Sequence, residues 1–475
     1  MSVTTEIDRT EEDVAGHSSS LKRQLGLRDL VLTQVVFVVG TSWVGTAAKL
    51  GPSHVVYWLL AILIFYVPQA AVIIYLNRLM PLEGGLYQWA KIGFNEFTGF
   101  MVAWNLWMLG ISVMALSGLV VTTNISYALG AQAAWMQESK WIVSIVSVIL
   151  TISLVAVSIR GLSLGKWVHN AGGIIMIVTY GALIVLPFLS LARGELKEYH
   201  PLTLVLPTMS ILGLNILTKM AVGGMSGFEY VAILAGECKS PARNVGRSVL
   251  VAAPIIALMF ILGTSSVLAF IGDRQIDLIG PVPQTLSIGF RSWPMVTSLV
   301  SVAILLLAGR AIAVMSIYLA GSSRLPMVAG WDRLLPEWFT RLHDRYRTPV
   351  NSILFVGAIT LVFSFASLIG AGAQEAFQVV DNAATVFYAI AYVVLFAIPL
   401  FGVTHLSKDA PIGVRIAAAC GLIVALAAIA FTVLPIVDVR SSWIFGAKII
   451  VVTIIANGIG AAIFLWDRKR LSSPS

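Results

Sequence analysis

Twelve long apolar runs recur along almost the whole chain, and they constrain its fold more than any other feature. Each run approaches the roughly 20 residues that a helix needs to cross a bilayer. Their length and their lack of alternation exclude membrane β-strands. The runs lie near residues 29–50, 55–76, 97–128, 141–160, 168–192, 204–235, 247–271, 294–320, 350–370, 377–402, 412–434 and 444–466. We therefore expect an all-α integral membrane protein with twelve transmembrane helices.

The composition agrees with that expectation and argues against several other classes of protein. Of the 475 residues, 58% are hydrophobic and only 11% are charged, which is unusual for a soluble protein. Two cysteines, Cys238 and Cys420, are too few for a disulfide framework. The sequence has no run with metal-ligand spacing, so neither a metal nor another cofactor is expected.

The basic residues predict the orientation of the helices. With the N-terminus inside, 21 of the 31 Lys and Arg residues fall in cytoplasmic segments, and eight fall outside or at the outer interface. Such a bias marks the cytoplasmic side, so both termini are expected in the cytoplasm. It also explains the basic excess without a nucleic acid partner. The expected organisation is a disordered tail over residues 1–27, a ten-helix core over 28–402, two further helices over 403–466 and a cytoplasmic tail over 467–475.

The sixth apolar run carries an interruption. Gly223, Gly224 and Gly227 lie close together in it, with Lys219 before them and Glu229 after them. Glycine weakens helix interiors, and charges inside a membrane are costly. A helix broken near the middle of the bilayer explains this pattern, because freed backbone groups can bind a polar ligand. Close helix packing through small residues is the alternative explanation.

The first run has a similar interruption between Gly40 and Gly45. A pair of glycine-interrupted spans at corresponding positions points to the binding site of a transporter. The N-terminus of a half-helix presents N–H groups to an anion, and its C-terminus presents carbonyl groups to a cation. A zwitterionic amino acid suits both ends at once.

Five segments in order resemble signatures of the amino acid–polyamine–organocation transporter superfamily. They cover the chain from about residue 28 to 350. The segments are PLEGGLYQWA at 81–90, GFNEFTGFMVAWNLW at 93–107, GFE at 227–229 with AGECKSPARN at 235–244, SSRLPMVAGWDRLLP at 322–336 and RYRTP at 345–349.

The resemblance implies a five-plus-five inverted repeat with broken helices one and six, two additional C-terminal helices and alternating access. It implies a secondary transporter of amino acids or closely related amines, multi-pass in a bacterial inner membrane, that catalyses no reaction. Uniport, antiport and proton symport stay open, and the expected partners are the small substrate, the lipid bilayer and protons.

The resemblance also implies the substrate site. The substrate carboxylate would meet the break of span one, and the amino group would meet the break of span six. The positions that correspond to these breaks are Gly40, Thr41, Ser42, Trp43 and Val44 in span one, and Ala221, Gly223, Gly224, Met225 and Gly227 in span six.

The chain departs from the family pattern at three of its positions. Ser42 replaces the second glycine of the family's G-S-G, which puts a close approach of the carboxylate in doubt. Gly223 stands where many relatives carry a bulky aromatic gate, so the pocket would be larger or the gating task would fall to another residue such as Trp43. Met176 stands where some proton-coupled relatives have a lysine.

Four charged residues within spans are candidates for coupling or gating: Lys219, Glu229, Arg310 and Asp381. Glu229 is a candidate for proton exchange or for a structural pair. Lys219 would neutralise a substrate carboxylate, pair with an acidic group, or extend toward the outer interface. Arg310 and Asp381 are expected to form an internal ion pair.

Three other functions were weighed against amino acid transport. A membrane enzyme would need a nucleophile–base set or a metal cluster, and a sensor would normally add a soluble signalling domain; the sequence shows neither. A polyamine or other organic cation transporter is the alternative within the transporter class. Such a site needs several carboxylates, whereas only Glu229 and Asp381 are available here and Lys219 argues against it.

Overall fold

The computed structural model describes residues 23–82, 84–208, 210–233, 235–272, 276–293, 297–331, 334–367, 372–402, 409–439 and 441–472. Most of the expected N-terminal tail lies outside the described residues. Helices dominate the described part of the chain, as expected for an all-α membrane protein.

Twelve helical units correspond in order to the twelve apolar runs, and we number them as spans. They are span one (Leu27–Val38 and Thr41–Ala48), two (Gly51–Leu79), three (Glu96–Leu129), four (Lys140–Ile159), five (Leu162–Ala192), six (Ile211–Ile233), seven (Pro241–Phe270), eight (Thr297–Trp331), nine (Val350–Ser367), ten (Ala373–Phe401), eleven (Ile412–Phe431) and twelve (Ser442–Ser472). Shorter helices between them are Leu86–Gly93, Ala131–Ala133, Trp135–Glu138, Ala235–Glu237, Pro281–Gly289 and Glu337–Thr340.

The lengths of these units confirm the expected membrane fold. Among the described residues, ten helices are long and apolar enough to cross a bilayer, the interrupted span six among them, and the bent pair of span one makes an eleventh. Span nine is a shorter apolar helix that packs against spans three and four.

Span three is the centre of the bundle. It packs against spans four, eight, nine and ten, and most of its apolar side chains are buried inside the protein. Spans eleven and twelve instead expose most of their apolar side chains, including Ile423 and Ile454. A helix that leaves such a surface uncovered must face lipid, so these two spans lie at the periphery.

Two helix boundaries differ most from the sequence expectation. Span six begins at Ile211 rather than near residue 204, because Ser210 caps it: the Gly213 N–H donates to the Ser210 hydroxyl over 3.0 Å. Span eight continues to Trp331, about one dozen residues beyond the expected end, and it contains Pro326 within its helix. The buried Arg324 near its end is satisfied by an ion pair described below.

Span one bends by 44° between its two halves. Val39 and Gly40 leave the helix, and Gly40 has an extended conformation with φ −78° and ψ 131°. The break is therefore at the first glycine of the predicted interruption.

Span six is interrupted over the predicted glycines. An α-helix over Ile211–Thr218 passes into a π-helix over Lys219–Gly224, residues 225–227 are not helical, and a short helix follows over Phe228–Ile233. Gly227 has φ +132°, a conformation that favours glycine. A Cβ at Gly227 would also lie 2.6 Å from Cδ1 of Phe37 in span one, so the two broken spans touch at this point.

One end of the bundle is closed by the chain before span one and the chain after span six. Gln24 and Leu25 donate their N–H groups to the Glu237 carbonyl, and Lys239 N–H donates to the Leu25 carbonyl over 2.9 Å. The Glu237 carboxylate pairs with Arg324 of span eight at 2.5 Å, and both side chains are almost fully buried. Gln24 and Leu25, near the end of the expected tail, are thus hydrogen-bonded to the chain that follows span six.

Candidate functional site

A cavity of about 130 Å³, lined by both apolar and polar side chains, lies where the two broken spans meet spans three, eight and ten. Seven of the expected site residues line it: Gly40, Thr41, Ser42, Trp43, Gly223, Arg310 and Asp381. The structure adds further lining residues that sequence reasoning missed, among them Phe37, Ser117, Ser226, Tyr318, Thr385 and Tyr388.

The remaining expected residues lie behind this lining. Val44 packs toward span seven, where a Cβ on Gly263 would lie 3.3 Å from its Cγ1. The other members are Ala221, Gly224, Met225, Gly227, Lys219 and Glu229, and none of them lines the cavity.

Trp43 joins the two breaks. A Cβ on Gly40 would lie 2.4 Å from its Cδ1, a Cβ on Gly223 would lie 2.3 Å from its Cη2, and one on Gly224 would lie 3.3 Å from its Cγ. Separations below 3.0 Å are too short for carbon atoms that do not share a bond. The three glycines therefore form a seat into which the indole fits, and we call it the glycine seat.

The second half of span one starts with N–H groups for which the described residues supply no acceptor. Trp43 N–H donates to the Gly40 carbonyl over 3.3 Å, but in the part of the chain that the structure describes no acceptor is seen for the N–H groups of Thr41 and Ser42. Such groups at a helix N-terminus attract an anion. Both residues line the cavity.

Span six offers carbonyl groups at the end of its first half. Met225 N–H bonds back to the Met220 and Ala221 carbonyls, and the Met225 carbonyl accepts from Gln69 Nε2 of span two. Among the described residues no donor reaches the carbonyls of Val222, Gly223 and Gly224. These carbonyls lie at the negative end of a helix dipole, which favours a cation.

Arg310 does not pair with Asp381, contrary to the sequence expectation. Its Nη2 donates to the carbonyls of Val39 over 2.7 Å and of Val36 over 3.3 Å. These carbonyls belong to the end of the first half of span one, where no further helix turn can satisfy them. The guanidinium of span eight therefore stabilises the bend of span one.

Glu229 lies one layer away from the cavity. Its carboxyl group contacts the phenols of Tyr388 and Tyr392, both in span ten. Tyr388 itself lines the cavity, so it stands between Glu229 and the cavity. Tyr392 also contacts Gln69 Oε1 at 2.6 Å and accepts from Gly227 N–H at 3.3 Å.

Lys219 is fully buried, and its Nζ donates to the Leu434 carbonyl over 3.3 Å. Asp381 is the acidic group on which Lys219 acts electrostatically, although the two form no ion pair. Metal-ligating clusters of three or more His, Cys, Asp or Glu side chains are not found in the described ranges.

The polar side chains of span ten could have been found from their spacing. Asp381, Thr385, Tyr388 and Tyr392 follow one another at four, three and four residues, which places them on one face of a helix. A polar stripe in an otherwise apolar span is the signal, and the sequence expectation included only its first member.

A bundle of membrane-crossing helices with two broken spans around a cavity that contains charged and polar groups is typical of a membrane transporter. A sequence profile described as amino acid permease matches residues 30–466. The chain therefore belongs to the amino acid permease family.

Individual relatives agree with this assignment at low identity. An uncharacterized transporter of Legionella pneumophila is 26% identical over 79% of this chain and 80% of its own. A branched-chain amino acid permease of Bacillus subtilis is 22% identical over 77% of this chain and 81% of its own. A probable agmatine/putrescine antiporter of Lactococcus lactis is 21% identical over half of each chain.

Proposed function

We propose that this protein is a secondary transporter that moves amino acids across a bacterial cytoplasmic membrane by alternating access, with both termini in the cytoplasm. One observation carries the proposal. Among the described residues, the cavity is bordered by N–H groups of span one that have no acceptor and by span six, which supplies carbonyl groups that have no donor. The α-carboxylate of an amino acid would accept from Thr41 and Ser42, and its α-ammonium would donate to the carbonyls between Val222 and Gly224.

The broken spans favour this recognition because the backbone groups are already in place. A charged substrate loses its hydration when it enters the protein, and that loss must be offset by hydrogen bonds. The two half-helices supply both a donor end and an acceptor end without moving a side chain. This arrangement recognises the part that all amino acids share and leaves the side chain to the rest of the cavity.

Transport requires that the closed end of the bundle opens. The ion pair between Glu237 and Arg324 and the backbone bonds of Leu25 hold that end together. We infer that these contacts break when the cavity opens to the cytoplasm, since they connect span eight and the chain before span one to the segment that follows span six.

Glu229 is our proposed proton carrier, and the argument is a count of protons. Gln69 Nε2 donates to the Met225 carbonyl, so Gln69 Oε1 faces the Tyr392 phenol and needs its proton. Tyr392 has only one proton to donate. Its contact with Glu229 then needs a second proton, which a protonated Glu229 carboxyl supplies.

Loss of that proton would leave two oxygens in contact with no hydrogen between them. The link from Glu229 through Tyr392 to span two would then open, and the break of span six would be released. Proton binding at Glu229 is thereby connected to the conformation of the broken helix.

A polyamine or other organic cation is the alternative substrate class. The carboxylate of Asp381 in the cavity favours it, and so does the name of the Lactococcus lactis relative. The guanidinium of Arg310 in the same cavity opposes it, because a dication would meet a like charge.

The test is transport by purified protein in liposomes. Uptake or exchange of labelled amino acids should occur, and unlabelled amino acids should compete. Flux of putrescine with no flux of any amino acid would favour the alternative. Absence of both flux and thermal stabilisation across a broad amino acid panel would reject the proposed substrate class.

A further inference from the structure

Asp381 is an acidic group of the cavity that forms no ion pair with any described residue. It lines the cavity from span ten and is partly accessible. Within the described residues, no basic nitrogen pairs with its carboxylate, and no hydrogen bond reaches the carboxylate oxygens. A buried or half-buried charge is costly unless it is paired. An unpaired carboxylate in a binding cavity therefore indicates that the ligand supplies the cation that pairs with it.

The two nearby cations donate to backbone carbonyls rather than to Asp381. The Arg310 guanidinium donates to the carbonyls of Val36 and Val39. The Lys219 ammonium donates to the Leu434 carbonyl. Within the described residues neither cation forms an ion pair with Asp381, although Lys219 acts on it electrostatically, so its carboxylate is left to pair with a cation from the substrate.

The position of Asp381 relative to the break of span six fixes which part of the substrate it can reach. Thr385 Oγ1 lies 3.2 Å from the Cβ position of Gly223. Asp381 precedes Thr385 by four residues on the same helix, which is about one turn or 5.4 Å. An α-ammonium held at the carbonyls near Gly223 would thus lie about one helical turn from Asp381, a separation that a lysine-like side chain can span.

The wall around Asp381 suits a methylene chain. Leu116, Val120 and Phe377 line the same cavity, and apolar surface of this kind packs against the stem of a lysine-like side chain.

We propose that Asp381 binds a protonated amine at the end of the substrate side chain, so that the preferred substrates are basic amino acids such as lysine or ornithine. The inference rests on the proposed amino acid transport function and adds the substrate class. A diamine without a carboxylate binds less well, because it offers no anion to the N–H groups of Thr41 and Ser42 in span one.

The test compares L-lysine with L-norleucine, which has the same chain without the terminal ammonium. Binding is measured by thermal stabilisation of the purified full-length protein, since a ligand raises stability according to its affinity. Lysine should bind the wild-type protein more tightly. Asp381→Asn should weaken lysine binding about tenfold or more and leave norleucine binding unchanged.

Glu375→Gln is the matched control. Glu375 lies on the same span, does not line the cavity, and pairs with Lys448 at 2.9 Å, so its neutralisation should not separate the two ligands. Tighter binding of norleucine than lysine by the wild-type protein would overturn the inference without any variant. Equal losses for both ligands in Asp381→Asn would also overturn it, because Asp381 would then hold the α-ammonium. Failure of every amino acid to bind or be transported would instead overturn the proposed function, and the inference with it.

Discussion

The indole of Trp43 lies where a side chain at Gly223 would be, since a Cβ on Gly223 would stand 2.3 Å from Cη2 of the ring. The aromatic group therefore comes from span one, and span six provides the space for it. The side chain at position 43 occupies the space that position 223 leaves open, so a change at either position affects the packing of the other.

Gly223→Ala is expected to disturb the protein although it adds a single methyl group. A rigid indole cannot move aside as a flexible side chain would, so overpacking should cost about 1–3 kcal/mol and abolish transport. The melting temperature and liposome uptake measure the effect. Gly181→Ala is the control, because a Cβ at Gly181 meets nothing within 4 Å. Full activity of Gly223→Ala would mean that the indole moves freely.

Exchange of the side chains at positions 43 and 223 should restore the transport activity that Gly223→Trp alone removes. In the double variant Trp43→Gly with Gly223→Trp, the aromatic group returns to span six and the total volume is kept. We expect transport to recover relative to Gly223→Trp alone. If the double variant is as inactive as Gly223→Trp alone, the glycine seat is needed for more than the space that it leaves for the indole.

Trp43→Ala should enlarge the cavity and admit larger substrates. The change removes the indole from the seat of three glycines, which leaves space beside the site of the α-carboxylate. Competition by a size series of amino acids measures the shift in selectivity. Unchanged selectivity would remove Trp43 from the determinants of substrate size.

Arg310→Met should weaken the bend of span one. The carbonyls of Val36 and Val39 would lose their donor in a buried place, at an expected cost of about 1–3 kcal/mol. Thermal melting of the purified protein measures the loss. Arg193→Met is the comparison, because the Arg193 guanidinium stacks on Trp293 at an exposed site and should contribute less. Equal effects of the two substitutions would contradict the role of Arg310.

Glu229→Gln should abolish uptake driven by a pH gradient and spare exchange of substrate. A glutamine amide can donate to Tyr392 and accept from Tyr388, so it imitates the protonated carboxyl and keeps the fold. The measurement is liposome uptake with and without the gradient, beside counterflow. Gradient-driven uptake that survives the change would exclude Glu229 as the proton carrier.

Glu237→Gln should open the closed end of the bundle. The substitution leaves Arg324 buried without its counterion, which costs about 3–5 kcal/mol. Maleimide labelling of the neighbouring Cys238 measures the opening, in a Cys420→Ser background, because the Cys238 side chain is fully buried. Neutralising the more exposed Lys448–Glu375 pair should change stability by about 1 kcal/mol or less. Unchanged labelling in Glu237→Gln would show that the ion pair does not keep this end closed.

The sequence predicted the parts of this fold that depend on local pattern. Apolar length identified the spans, and the glycines identified both breaks, because a span that loses helix propensity in its middle is rare. The predicted start of span six, near residue 204, was wrong because a single capping residue, Ser210, sets the beginning of the helix.

The partners of the charged residues could not be read from the sequence. Arg310 and Asp381 were expected to pair because they have opposite charges in neighbouring spans, yet backbone carbonyls 271 and 274 residues away satisfy Arg310 instead. The tyrosines at Glu229 lie 159 and 163 residues further along the chain. Such pairings depend on the packing angle and register of whole helices, which residue types do not specify.

The glycine seat also limits how this protein can change in evolution. A mutation that places an aromatic side chain at position 223 is harmful while Trp43 is present, and loss of Trp43 alone empties the seat. A change from an aromatic side chain at position 43 to one at position 223 therefore passes through a less fit intermediate. Positions 43 and 223 are expected to change as a pair. Substrate assignments made from position 223 alone would misjudge every relative that has taken this route.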